Sequence, residues 1–228
     1  MIRALDEFDE SIRLVREQTS IHDHLVNTLH LPSEYSSEIL RSQLVYAVSA
    51  MDRFFHEVAR LGFIESYKGV RVKTAKFLSW QFSTELMMQI VECSDSGYSP
   101  SSIQDTPEYL IEQDVVRKLS VNAYQHPDKI KEALSLIWDE AHKTQVIATA
   151  MGIAVASAQQ VLEQKLKLIC ERRNQIVHEA DIEPTSRTRR SINQSDVNDN
   201  VDFIEQFCHA TYTLITSPQC YSTPAVTP

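Results

Sequence analysis

A chain of 228 residues can bury one substantial core, but its four glycines and eight prolines make up about 5% of the sequence where about 12% is usual, too few turn residues for hairpin-rich or doubly wound sheets. The net charge of −9 excludes broad, sequence-blind coating of DNA. No apolar run approaches the roughly 18–20 residues of a membrane span, and Cys93, Cys170, Cys208 and Cys220, with no Cys-x-x-Cys spacing, read as reduced intracellular thiols.

The chain starts with Met1-Ile2-Arg3 and then Asp6, Glu7, Asp9 and Glu10, an acidic amphipathic opening unlike a signal peptide. Leu5, Phe8, Ile12, Val15, Thr19, His22 and Val26 recur every three or four residues and predict a helix over about 3–29, which Pro32 ends. A second helix, about 36–61, repeats Leu40, Leu44, Ala47, Met51, Phe55 and Val58. Phe77, Trp80, Phe82 and Leu86 predict a third over about 74–93. Ser94 to Pro107, with Gly97 and Pro100, reads as a loop. Further helices are expected at about 107–124, 127–142, 144–151, 157–180 and 196–216, with a polar loop over 183–195. There is no internal repeat. The expected architecture is all-α: one bundle of about seven to eight helices over residues 1–216, then a disordered tail over 217–228.

Charge is unevenly spread. Residues 161–190 hold seven Lys/Arg against five Asp/Glu, a net of +2, which leaves −11 on the remainder. A contact with an anionic ligand would fall in that segment. Its helix carries Leu162, Leu166, Ile169, Ile176 and Ala180 within about 40° of one line, and Arg173 lies on the same line. An unpaired buried guanidinium costs several kcal/mol. Arg173 must therefore pair with a buried acid, for which Asp52 near the apolar face of the second helix is the candidate, or face a cleft, or meet a partner subunit. His178 follows five residues later, about 140° around an ideal helix, sharing a face with Glu171 and Asn174. Convergence of Arg173 and His178 then requires a loosened helix, an arginine that bends round, or a symmetric interface.

Arg173-Asn174-x-x-x-His178, followed by Glu179 and Asp181, resembles the signature of the HEPN superfamily. Leu44 to His56, with Ser49-x-x-Asp52-Arg53-Phe54 inside it, resembles an early helix of the RiboL-PSP type of HEPN domain. The resemblance covers most of residues 35–215. It implies a helical, metal-independent endoribonuclease of prokaryotic toxin or anti-phage defence type, cytoplasmic, acting on RNA as a homodimer without a cofactor. A cognate antitoxin or other defence-system protein is the further partner it suggests. In that reading Arg173, Asn174 and His178 are catalytic, and Asp52, Arg172, Glu179 and Asp181 support them. RNA supplies its own nucleophile, the 2′-OH, so the protein needs a proton carrier and a cation. An imidazole that titrates near neutrality suits the first, and a forked guanidinium on two phosphoryl oxygens suits the second. The expected products are a 2′,3′-cyclic phosphate and a 5′-OH. Arg187, Arg189 and Arg190 follow within reach of the motif helix, as solvated loop residues or contacts for the RNA backbone.

Two other classes remain open on the sequence. One keeps the fold without activity, as an RNA-binding or dimerisation module. The other is a metal-binding helical bundle using His22 with His24, Asp52 with His56, or Asp139 with His142. Such bundles need Glu-x-x-His on two helices plus further inward Glu residues, and only scattered pairs occur here. No Gly-x-Ser-x-Gly or Gly-rich phosphate loop is present.

Overall fold

The computed structural model describes residues 1–94, 103, 106–153 and 155–222. Most of the loop expected between Ser94 and Pro107 lies outside them.

The long second helix organises the bundle. α1 (Ile2–Asp23), prolonged by a π-helical turn over His24–Thr28, packs along α2 (Ser33–Tyr67). Between Leu40 and Phe63, α2 buries eleven apolar residues, including Met51, Phe54, Phe55 and Phe63. That is more than one stripe, so α2 is covered on several sides, by α1, α5, α6, α8 and α9. Aromatic contacts from Phe8 to Phe54, Phe54 to Phe55 and Phe55 to Phe207 tie α1, α2 and the last helix together at centroid distances of 5.2–5.6 Å. Gly62 lets α2 approach closely: a Cβ there would lie 2.5 Å from Ile137 Cγ2.

The remaining helices are α3 (Ala75–Leu78), α4 (Thr84–Ser94), α5 (Pro107–Leu119), α6 (Pro127–Ser135), α7 (Lys143–Ala150), α8 (Ala158–His178) and α9 (Gln194–Ile215). Thr74, Thr106 and Asn193 cap α3, α5 and α9 with side-chain oxygens, and Pro107 and Pro127 occupy first turns. Nine α-helices, one π-helical turn, short 3₁₀ turns and two isolated β-bridges account for the regular structure among the described residues.

The structure departs from the expected elements in several places: α5 and α6 end at Leu119 and Ser135, short of the expected 124 and 142, and two further departures are larger. The helix expected over 74–93 is interrupted at 79–83. The Ser83 hydroxyl accepts from the Leu86 N–H, starting α4 afresh. Trp80 and Phe82 turn under the Lys118 ammonium, 5.2 and 5.6 Å from their ring centroids, and Trp80 packs 4.9 Å from Phe63. Tertiary contacts on these rings override helical continuity. The chain after α9 is also ordered through residue 222. Pro218–Cys220 forms a 3₁₀ turn, Cys220 is buried, and Tyr221 bridges to Arg71. Arg71 is 0% exposed and donates to the carbonyls of Ile137 (3.2 Å) and Ile215 (2.8 Å), to Glu65 (3.0 Å) and to the Tyr221 hydroxyl (3.1 Å). Residues 223–228 lie outside the described part.

Candidate functional site

α8 lies against α2, α6 and α7 through Leu162, Leu166, Ile169 and Cys170, all buried. Arg173 continues this stripe and is half-buried. Its Nε is buried without a hydrogen-bond partner, and its Nη1 donates to Asn174 Oδ1 at 3.1 Å. Among the described residues, Arg173 has no ion-paired carboxylate. Asp52 instead accepts the Tyr124 N–H and lies 3.9 Å from His56 Nε2. The ion pair that would make Arg173 purely structural is therefore not formed.

Arg173 bends towards Asn174, which is one of the three ways left open for it to converge with His178. Asn174 precedes His178 by four residues, so both project from one exposed face of α8. A guanidinium that curls from the core stripe onto Asn174 approaches the face that carries His178. His178 is the last residue of α8, exposed, and its side chain has no protein partner among the described residues.

The chain turns sharply after His178. Glu179 ends the helix, and Ala180 and Asp181 both take left-handed backbone conformations, φ +51° and +58°. Two consecutive non-glycine residues there need outside support. Asp181 supplies it from a position only 1% exposed. Its N–H donates to the Gln175 carbonyl at 2.9 Å, and its own carbonyl accepts the Arg190 N–H at 2.8 Å. Its carboxylate takes both Nη of Arg172 and the Nε of Arg41, the latter at 2.6 Å. Burial alone would raise this carboxyl, but the hydrogen bonds from Arg172 and Arg41 outweigh burial and hold it below the usual range.

The basic loop is already engaged. The Ile182–Arg189 bridge clips it shut. Arg189 pairs with Glu38, and Arg190 with Glu179 (3.0 Å) and Glu183 (3.2 Å). Arg187 is exposed, with no side-chain partner among the described residues. Beside the motif, between α8 and the start of α9, lies an open cavity of about 380 Å³ lined by Lys165, Glu171, Arg172, Gln175, Asp199 and Asn200 among others.

Of the residues singled out in the sequence, the structure thus groups Arg173, Asn174 and His178 on α8, and places Arg172, Glu179, Asp181 and Arg190 around the turn that follows. It leaves Asp52 with Tyr124 and His56. The sequence reading missed Arg41. The signal was present: Arg41 interrupts the apolar face of α2 beside Leu40 and Leu44, as Arg173 interrupts that of α8. Cys170 offers no nucleophile, because burial pushes its thiol up to about 12 and its Sγ donates to the Gln125 carbonyl at 2.8 Å. Among the described residues no group of three or more His, Cys, Asp or Glu could hold a metal ion, and no helix is long and apolar enough to cross a membrane.

No curated protein and no solved structure matches the chain. A family model described as RiboL-PSP-HEPN matches residues 9–217, which takes in α2, α8 with its Arg-Asn-x-x-x-His segment, and α9. With that match spanning nearly the whole bundle, the chain belongs to the RiboL-PSP-HEPN family.

Proposed function

We propose that this protein is a metal-independent endoribonuclease of the toxin or anti-phage type, working in the cytoplasm as a homodimer. The observation that carries the proposal is the state of Arg173: a half-buried arginine that has no carboxylate among the described residues, bent onto Asn174 on the helix face of an exposed His178 that has no partner among them either. A protein that needed this arginine only for its fold would satisfy it.

In the proposed reaction the 2′-oxygen of a ribose attacks the adjacent phosphorus while losing its proton to a base. The P–O5′ bond breaks, and the departing oxygen takes up a proton. One fragment ends in a 2′,3′-cyclic phosphate and the other in a 5′-OH. His178 carries a proton in this exchange. Arg173 grips non-bridging oxygens as charge accumulates on the phosphorane, and Asn174 orients the guanidinium and the ribose. One imidazole in the motif of each chain and two proton transfers per cleavage favour a second His178 from a partner copy across a two-fold axis. The overall charge of −9, with Arg189 and Arg190 held by the chain's own carboxylates, favours a narrow substrate or one presented by another protein over bulk RNA.

The test is incubation of purified protein with total RNA, followed by end-group analysis. Wild-type protein should yield cyclic phosphate ends, and His178→Ala should cleave at least about a hundredfold more slowly. A folded His178→Ala protein that cleaves at the wild-type rate refutes the assignment. Wild-type protein that binds RNA without cleaving it would support the inactive-module reading.

A further inference from the structure

Among the described residues the side chain of His178 has no partner, so its position depends on the backbone at the end of α8, and that backbone is strained at Ala180 and Asp181. The support comes from a buried network whose members differ in what they join. Arg172 and Asp181 both belong to α8 and its terminal turn. Arg172 Nη2 also reaches the Ser191 carbonyl at 3.3 Å. Arg41 alone of the carboxylate's partners comes from another helix. At 5% exposure, it gives its Nε to Asp181 (2.6 Å), its Nη2 to the Arg190 carbonyl (2.8 Å) and its Nη1 to the Ser37 hydroxyl (2.7 Å) and Glu38 (3.2 Å). Arg41 therefore spans three segments: α2, the turn after His178, and the strap that returns to α9.

We propose that Arg41 is a positioning residue for His178, tying the strained turn after the imidazole to the central helix through Asp181. The kinetic consequence rests on the ribonuclease reading; the structural consequence does not. Arg172 and Asp181 could remain paired without Arg41, but the turn would then be tied to α2 only by the packing of α8 and by the exposed Arg189–Glu38 pair. A catalytic imidazole displaced by a fraction of an ångström loses rate more than binding.

Arg41→Lys keeps a positive charge and removes the fork. In this variant the amides of 179–182 should exchange about tenfold faster, and the His178 ring signals should shift or broaden in NMR spectra. The kcat for RNA cleavage should fall about tenfold with KM within about twofold. Arg71→Lys is the control. It weakens an equally buried arginine network at the other end of α2, so it should lower the melting temperature while leaving the His178 signals and kcat unchanged.

If Arg41→Lys fails to fold, exchange in the wild-type protein decides. The amides of 179–182 should open together with those of 37–44. Free exchange at 179–182 beside protected amides at 37–44 overturns the proposal. So do wild-type His178 signals, exchange and kcat in a folded Arg41→Lys, or an equal kcat loss in Arg71→Lys. A wild-type protein without cleavage activity sinks the ribonuclease reading alone, because exchange and ring signals still report on positioning.

Discussion

Replacing Arg173 with methionine should make the protein more stable and nearly inactive. The stem of Arg173 lies in the apolar stripe between Ile169 and Ile176, and its Nε is buried with no partner. An unsatisfied buried donor costs about 1–3 kcal/mol. The one hydrogen bond that the change removes, Nη1 to Asn174, is exposed and returns at most about 1 kcal/mol. Methionine has similar length and a flexible thioether that fills irregular space. The balance favours Arg173→Met by about 1 kcal/mol, which for a domain of this size is a rise of about 2–4 °C in melting temperature. Loss of the cation over the phosphorane should lower the cleavage rate by about 10²–10³. Calorimetry and single-turnover cleavage on the same preparation measure both. Arg173→Lys should recover part of the rate and none of the stability, because an ammonium lacks the fork. A methionine variant that melts several degrees below wild type would make Arg173 a structural residue after all. One that melts higher yet cleaves normally would remove it from the chemistry.

Cleavage should survive excess EDTA, since the 2′-OH needs no metal-activated water; loss in EDTA with rescue by Mg²⁺ or Mn²⁺ would move the activity to a metal site. Asp181 makes stability depend on pH in a defined direction. Its folded-state carboxyl lies below the usual range, so its contribution is complete above the unfolded value of about 3.9 and is lost as pH falls through the lower folded value. Denaturant titrations should find Asp181→Asn less stable than wild type at pH 7, with the gap closing below about pH 4; a gap constant from pH 7 to pH 2 contradicts the ion network. Excess His178→Ala subunits mixed into wild-type protein should depress specific activity if the cleft is shared across a dimer. A protein that sediments as a monomer and ignores the dead partner rules that out.

Much of this was legible in the sequence, and the reason differs by region. α1, α2, α8 and α9 have long, regular apolar spacing, and each was placed to within a few residues except α2, which is longer at both ends. The break at 79–83 was not legible, because rings at Trp80 and Phe82 continue a helical spacing while packing as a loop under Lys118. Order in residues 217–222 was hidden for a related reason: a serine, proline and cysteine sequence reads as tail until Arg71, far away in the chain, supplies its anchor. In the site, Arg173 was visible as a cation out of place, but its candidate partner Asp52 was inferred from helix faces alone. Helix faces do not report that the backbone N–H of Tyr124 reaches Asp52 from another segment.

A buried arginine can serve the fold or the chemistry, and the two kinds differ here in how completely they are satisfied. Arg71 is wholly enclosed, and its Nε and both Nη atoms donate to a carboxylate, two carbonyls and a hydroxyl, with the guanidinium 4.7 Å from the Tyr221 ring. Arg41 is satisfied likewise, by Asp181, Arg190, Ser37 and Glu38. Such residues repay desolvation through complete hydrogen bonding. Arg173 does not: its Nε is orphaned, its head reaches only a neutral amide on the surface, and the chain elsewhere is rich in carboxylates that could have paired with it. Within eight residues of it come the backbone strain at Ala180 and Asp181 and the buried carboxylate that holds it. Sequences that fold well keep local choices consistent with the whole and break that rule where function requires it. In this protein the breaks fall at either end of the segment that contains Asn174 and His178. That coincidence, more than the positive charge of the region, is what supports the proposal that this segment is the working part of the bundle.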